Sequence, residues 1–370
     1  MVTVLTSGVA LGVHVPGVLL ARRLRAAGVP ADVVVLESLL TTAKRMRAEA
    51  NRAVFHADFR LARAGHRVVR LPTDDVDPAR RAALFARWHD EQAERFVVFS
   101  GFWAPLLRAY AYLYETETGR PVHVDLCHVD SVDSPSFRAV SAAIPRTWQT
   151  VRLADAAATA TGTTTDVFPT TIPVTDDPLV PWHQRLADPR VLAHGGGWGM
   201  GTYRDGARAL AERGIATDLV LHDPVDTLPR GLGDRRFAID PGWHPWHDAD
   251  LPPFAELPPS GDGRYVRAAA YHGSFDLVRG ALAVASKPGG GTLLDSLHAA
   301  TPLLLLDALA PHEERNARLW RDLGFGVDFD AWLAAGCPFD TLAAAHRRLA
   351  AVRGEVPDYS AQLVKEFAAS

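Results

Sequence analysis

The chain has 370 residues, 48% of them hydrophobic and 22% charged, with a formal net charge of −4. That length exceeds one ordinary core and fits two domains of roughly 150–200 residues each. The slightly acidic balance leaves no general basic field for a nucleic-acid backbone, and the two distant cysteines, Cys127 and Cys337, give neither a disulfide framework nor a zinc spacing and fit a reducing cytoplasm.

The first apolar run, residues 2–6, reads as a strand, followed by a loop over 8–17 and a helix through Leu19, Leu20 and Leu24 that Gly28 and Pro30 close. This apolar start lacks a basic leading region and contains His14 and Pro16, so it reads as strand and loop, not as a signal peptide. No later stretch of about 18 uncharged apolar residues looks able to span a membrane. Residues 32–36 are the next expected strand, 45–64 a long helix, 66–71 a strand and 96–99 a buried strand. A helix through Leu106, Leu107, Tyr110 and Leu113 ends at Gly119, and residues 122–126 form a further strand. The Thr- and Pro-rich segment 162–186 breaks the rhythm. A second alternating unit follows: strand 190–194, a Gly loop over 195–201, helix 203–213, strand 218–222, loops over 241–262 and strand 282–286. Helix 293–300, strand 303–306 and helices 313–323, 339–352 and 359–367 complete the chain. The rhythm predicts mostly parallel sheets with helices on both faces, and so two Rossmann-like halves with a ligand cleft between them. The expected division is 1–170 for an N-terminal Rossmann-like domain, 171–186 for a linker, 187–352 for a C-terminal Rossmann-like domain, and 353–370 for a helix crossing back to the first domain.

The segment Ser286-Lys287-Pro288-Gly289-Gly290-Gly291-Thr292 lies between an expected buried strand and a helix. Successive glycines let backbone approach a ligand closely, and a helix N-terminus attracts an anion. Lys287 adds a positive charge, Thr292 is placed as N-cap or as a hydroxyl donor to phosphate, and Asp295 in the first turn suits ribose hydroxyls. The bland reading is a tight turn with a carboxylate at a helix start. Gly195–Gly201 is a second strand–loop–helix glycine run, which borders a phosphate or stands as a bare turn, with Gly197 as its candidate contact and Arg204 either a phosphate partner or a surface residue.

Residues 286–300, SKPGGGTLLDSLHAA, resemble the nucleotide-binding segment of GT-B glycosyltransferases, in the branch of the peptidoglycan GlcNAc-transferase, the diacylglycerol glycosyltransferases and related UDP-glycosyltransferases. The resemblance continues through Pro302 and the run His312-Glu313-Glu314-Arg315-Asn316-Ala317. It implies a GT-B fold with two Rossmann-like domains facing each other across a cleft. It further implies that Asp295 binds ribose, that Lys287, Gly289, Gly290, Gly291 and Thr292 hold the diphosphate, that Gly197 borders it, that Ala270 and Tyr271 meet the nucleobase, and that His312 and Glu313 contact the donor sugar. The chain departs from the family in having Asp at 295 and His at 312. The implied activity is inverting transfer of a sugar from a nucleoside diphosphate donor, UDP-linked by the resemblance, without a tightly bound cofactor or a protein-bound metal. The acceptor is a small molecule, a lipid or a cell-wall precursor, with peripheral membrane contact open in the lipid case.

The base for such chemistry is expected from the N-terminal domain. His14 is the first candidate, because a histidine titrates near working pH. The family loop reads Gly-His-x-x-Pro-Gly, and in Gly12-Val13-His14-Val15-Pro16-Gly17 the histidine lies one residue nearer the proline. Asp125, His128 and Asp130, near an expected strand end, orient His14, bind acceptor or serve as base, or else form a polar loop. The pair His244 and His247 in a Pro-rich loop reads as packing or a lid, not as a metal site. A nucleotide-sugar epimerase, a pseudo-glycosyltransferase and a nicotinamide-dependent dehydrogenase, the last resting on the 195–201 loop with Asp223 as its acidic residue, remain alternatives.

Overall fold

The computed structural model describes residues 1–9, 11–65, 75–158, 163–222, 234–258 and 263–369. The expected strand at 66–71 and the candidate Asp223 lie outside them.

Strands β1 (Val2–Thr6), β2 (Ala31–Val35), β3 (Arg95–Val98), β4 (His123–His128) and β5 (Gln149–Arg152) form a parallel sheet in the order β2-β1-β3-β4-β5. A second sheet contains β6 (Arg190–His194), β7 (Ala216–Leu221), β8 (Arg235–Ile239), β9 (Phe254–Leu257), β10 (Ala283–Ser286), β11 (Leu303–Leu305) and β12 (Gly326–Asp328). Its order is β12-β11-β10-β6-β7-β8-β9, parallel throughout except at the antiparallel β8–β9 edge. The near-continuous apolar character of β1, β6, β10 and β11 is what burial on both faces requires.

In the second sheet the strand order reverses between β6 and β10, and Ser286 pairs with His194 at their ends. The glycine loops that follow these two strands are therefore neighbours in space, although about 90 residues separate them in sequence.

Four expectations are corrected. The loop over 8–17 is helical from residue 11: helix Leu11–Ala26 carries Pro16 inside it. Proline removes one helical donor, yet the turn persists because Val18, Leu19, Leu20 and Leu24 are buried in a cluster that continues into Leu293 and Leu297 of the second domain. Burial of each such leucine contributes roughly 1.5–3 kcal/mol, comparable to the cost of the proline. The single helix over 45–64 is two, Thr42–Ala57 and Phe59–Gly65, broken at Asp58, whose carboxylate accepts the Arg60 N–H at 2.8 Å. The segment 241–262 is not all loop, since it contains β9. Helix Gly290–Ala299 starts three residues earlier than 293, with Gly289 as N-cap; Thr292 is inside it and Asp295 is past its first turn.

The two sheets meet along one seam. Helix Leu11–Ala26 packs on helix Gly290–Ala299 and on the last helix, Tyr359–Ala369. Tyr359 O–H donates to Asp125 Oδ2 at 2.5 Å, and Arg95 bridges Asp125 and Glu366 at 2.8 Å each. Arg185, buried on helix Trp182–Ala187, donates to the carbonyls of Ala281 and Ala299, satisfying the C-terminal end of helix 290–299. Among the described residues, no helix is long and apolar enough to cross a membrane.

Candidate active site

The loop after β10 is built for close approach. A Cβ on Gly290 would stand 2.9 Å from Asp130 Oδ1 and 3.0 Å from the Val129 carbonyl carbon, and one on Gly291 would stand 3.0 Å from Gly12 Cα. These glycines let the first domain press against the N-terminus of helix 290–299, a steric demand that a ligand-centred reading of the sequence does not reveal. Gly197 likewise lies under the Leu11 side chain, 2.4 Å from its Cγ to a would-be Cβ.

Asn316 locks this contact. It is fully buried; its Nδ2 donates to Asp130 Oδ1 at 2.8 Å and to the Pro288 carbonyl at 2.9 Å, and its Oδ1 accepts from the Ser131 backbone and hydroxyl at 2.9 and 2.7 Å. The last polar residue of the 312–317 run thus bridges the two domains.

Lys287 Nζ donates to Glu313 Oε1 at 2.6 Å, and the other oxygen of Glu313 accepts the Leu309 N–H at 2.7 Å. Burial by itself pushes the Glu313 carboxyl up, but the charge and hydrogen bond of Lys287 outweigh it and hold the group below its ordinary value. The Lys287 stem also borders the second loop, with Cε 3.6 Å from a Cβ built on Gly196. His312 is buried in the first turn of helix Pro311–Asp322.

Asp295 Oδ1 lies 3.0 Å from His272 Nε2, while His272 Nδ1 lies 2.9 Å from Ser274 Oγ. A carboxylate can only accept, so Nε2 carries the proton and Nδ1 receives the Ser274 hydroxyl. His272 is buried and fixes the carboxylate; nothing in the sequence analysis singled it out. Tyr271 sits beside it, its hydroxyl tied to Asp276 at 2.7 Å and to Arg279 at 3.0 Å, and Ala270 is exposed just before it. His194 Nδ1 accepts the Gly196 N–H at 3.1 Å. Arg204 donates to the His56 carbonyl across the seam.

The first domain contributes the opposing edge. His14 is fully buried on its helix, with Nδ1 3.1 Å from Thr6 Oγ1 and Nε2 3.1 Å from the Asp250 carbonyl of the second domain. Burial lowers its pKa to about 4. In this conformation it ties the domains together and presents no open nitrogen to the cleft. Asp125 lies within β4, not beyond it, and its carboxylate is bonded to Arg95 and Tyr359, while the partners of His14 are Thr6 and Asp250. Asp130, beyond β4, faces Asn316 and the Gly290 turn. His128 ends β4, stacked on Phe137 with ring centroids 3.9 Å apart, its Nδ1 3.3 Å from Asp133 Oδ1. Burial and then Arg152 lower its pKa to about 4, so its ring is neutral at pH 7.

Glu37 is a site residue the sequence analysis missed. It is buried in the 3-10 turn Leu36–Leu39 directly after β2 and accepts from Ser7 Oγ at 2.7 Å and Gly8 N–H at 2.6 Å, holding the loop after β1. Burial raises its pKa. The signal was present: one acid in the apolar run Val33-Val34-Val35-Leu36-Glu37-Ser38-Leu39-Leu40. His244 stacks on Trp246 with centroids 4.8 Å apart, and Trp246 and Pro245 cover Gly8. Among the described residues, no group of three or more His, Cys, Asp or Glu side chains is arranged to hold a metal ion.

No protein-family model matches the chain, and no curated protein matches it. Solved structures do match it in fold. The glycosyltransferase SsfS6 of Streptomyces sp. SF2575, in complex with thymidine diphosphate, aligns over 100% of this chain and 99% of its own at a TM-score of 0.58 and 14% identity. The glycosyltransferase SnogD from Streptomyces nogalater aligns over 100% and 99% at a TM-score of 0.56 and 14% identity. Acinetobacter baumannii MurG aligns over 100% and 99% at a TM-score of 0.51 and 11% identity. Two α/β domains with mostly parallel sheets meeting along a cleft, matched end to end by these enzymes, are the GT-B fold.

Proposed function

We propose that this GT-B chain is a glycosyltransferase that moves a sugar, with inversion, from a nucleoside diphosphate donor to an acceptor held by the first domain. The observation that carries the reading is the pairing of β6 with β10. It sets two glycine loops, the N-terminus of helix 290–299, Lys287 and the His272–Asp295 pair side by side at the switch point of the second sheet. An anionic diphosphate suits the loops and Lys287, and a ribose diol suits Asp295. Uridine and thymidine diphosphate are the leading nucleotides: the sequence resemblance supports the first, and the bound ligand of SsfS6 supports the second.

In the transfer, the acceptor oxygen or nitrogen bonds to the anomeric carbon as the bond from that carbon to the diphosphate oxygen breaks. The acceptor proton passes to a base, and the nucleoside diphosphate leaves with a charge that the helix N-terminus offsets, together with Lys287 to the extent that it is drawn from Glu313. Of the three expected bases, the two hydrogen bonds on His14 support His128 and Asp130 ahead of it. His128 is neutral at pH 7 and ends β4 with its Nδ1 3.3 Å from Asp133, whose same oxygen accepts from Arg152.

The test is thermal unfolding with millimolar UDP, TDP, GDP and NAD. A ligand at 100 times its Kd stabilises by about 2.7 kcal/mol. Stabilisation by a pyrimidine nucleoside diphosphate and not by NAD supports the reading; the reverse result returns the dehydrogenase. Product analysis with a donor sugar then separates transfer from epimerisation, and removal of the true base lowers transfer about 10²–10⁴-fold while donor binding persists.

A further inference from the structure

The first domain contains a cavity of about 330 Å³ near the ends of β4 and β5, closed on one side by helix Pro135–Val140. That volume is at the lower end of small-molecule pockets, roughly 300–1,000 Å³. Its walls divide by chemistry. Phe137, Ile144 and Trp148 are apolar and flat or branched, while His128, Arg146 and Arg152 carry nitrogen donors.

The charges do not cancel. Arg152 Nη2 donates to Asp133 Oδ1 at 2.6 Å, and that same carboxylate oxygen lies 3.3 Å from His128 Nδ1. Asp133 is the only carboxylate in the lining. Arg146 is exposed at the mouth and makes no hydrogen bond or ion pair with any described residue. The cavity thus presents one uncompensated guanidinium beside an indole. A guanidinium fork binds a carboxylate through two parallel hydrogen bonds, and a flat ring stacks on Trp148.

The cavity also has a fixed relation to the seam. His128 lines it, and Asp130, two residues along the same strand exit, touches the Gly290 turn. Two extended residues span about 7 Å. A ligand seated against Trp148 and Arg146 therefore has the seam on its His128 side.

We propose that this cavity binds a flat, apolar molecule bearing a carboxylate, with Arg146 as the anion-selecting residue and Trp148 as the stacking wall, and that molecules of this class are the acceptors. The second half of that statement rests on the glycosyltransferase reading; the first half does not.

The experiment is titration calorimetry on the full chain without donor, with 6-hydroxy-2-naphthoate and its neutral counterpart 2-naphthol, on the parent, Arg146→Ala and Trp148→Ala. Arg146 is exposed and Trp148 partly so, and an unchanged unfolding temperature certifies each variant. The parent is expected to bind the naphthoate at least tenfold more tightly than the naphthol. Arg146→Ala should abolish that preference and leave naphthol affinity unchanged, and Trp148→Ala should weaken both ligands about tenfold. Equal affinity for the two ligands in the parent, or a preference that survives Arg146→Ala, overturns the cavity. Where the naphthoate binds through Arg146 but no nucleoside diphosphate stabilises the chain, the glycosyltransferase reading and the acceptor half fail while the cavity stands. Where sugar transfer is observed and the naphthoate preference is absent, the cavity inference alone fails.

Discussion

Lys287 Nζ lies 2.6 Å from Glu313 Oε1, with only 12% and 4% of the two side chains exposed. The lysine proposed to meet the diphosphate is thus already neutralised by a buried carboxylate, so its loss has a structural cost separate from any catalytic one. Lys287→Ala leaves Glu313 buried and uncompensated and is expected to cost roughly 3–5 kcal/mol in denaturant unfolding. Lys287→Ala combined with Glu313→Gln should recover most of that, since the amide still accepts the Leu309 N–H. Equal loss in both variants would show that the pair is not the source. The sign with pH follows from the lowered Glu313 pKa: its contribution is complete above the unfolded-chain value of 4.5 and is lost as pH falls through the lower folded value.

Asp295 and His272 couple binding to folding. With Asp295 on the ribose diol, Asp295→Ala should weaken nucleoside diphosphate binding by roughly 1–3 kcal/mol, measured by calorimetry, and should also lower stability by about 1–3 kcal/mol in denaturant unfolding, because the buried His272 N–H loses its acceptor. His272→Gln keeps a donor toward Asp295 and should lose less than His272→Ala. Unaltered affinity for every nucleoside diphosphate in Asp295→Ala would sink the assignment.

His14 makes the fold sensitive to acid. Its pKa falls from 6.5 in the unfolded chain to about 4 in the fully buried site, so the folded state resists protonation. The neutral ring's contribution is intact above pH 6.5, declines between 6.5 and 4, and is gone below 4; that gap corresponds to roughly 3 kcal/mol. Stability measured against pH should therefore fall less steeply across this window in His14→Gln than in the parent. Parallel curves would remove His14 as the cause.

Gly290 supplies a test of the seam through the sign of one substitution. Glycine to alanine within a helix ordinarily stabilises by about 0.5–1 kcal/mol. At Gly290 the added methyl meets Asp130 and the Val129 backbone, so Gly290→Ala should destabilise, by about 1–3 kcal/mol. Asn316→Ala, which removes the hydrogen bonds across the same contact, should destabilise as well. A stabilising Gly290→Ala would mean that the domains do not close here in solution.

Strand and helix alternation, the parallel sheets and the glycine-rich loop after β10 were legible in the sequence, because each rests on local patterns: apolar runs of strand length, glycine stops, and a lysine–glycine run at a strand-to-helix joint. The expected strand at 190–194 and the helix start at residue 339 coincide with the observed elements. The helix that begins at Leu11 was not legible, because Gly12, Pro16 and Gly17 argue locally for a loop, and only burial against the second domain outweighs them. Asp125 illustrates the same limit: its sequence neighbours put it near a strand exit, whereas in the fold Arg95 and Tyr359 take up its carboxylate and His14 bonds instead to Thr6 and Asp250.

The sequence by itself determined what lies within one turn or one strand of each residue, because period, capping and backbone freedom act over that range. Tertiary structure alone decided which groups share the seam. Asn316 reaches Asp130 across 186 positions and His14 reaches Asp250 across 236, distances over which no local propensity acts. Such contacts form only once two separately patterned sheets have docked, when burial compensates the entropy of closing those long loops.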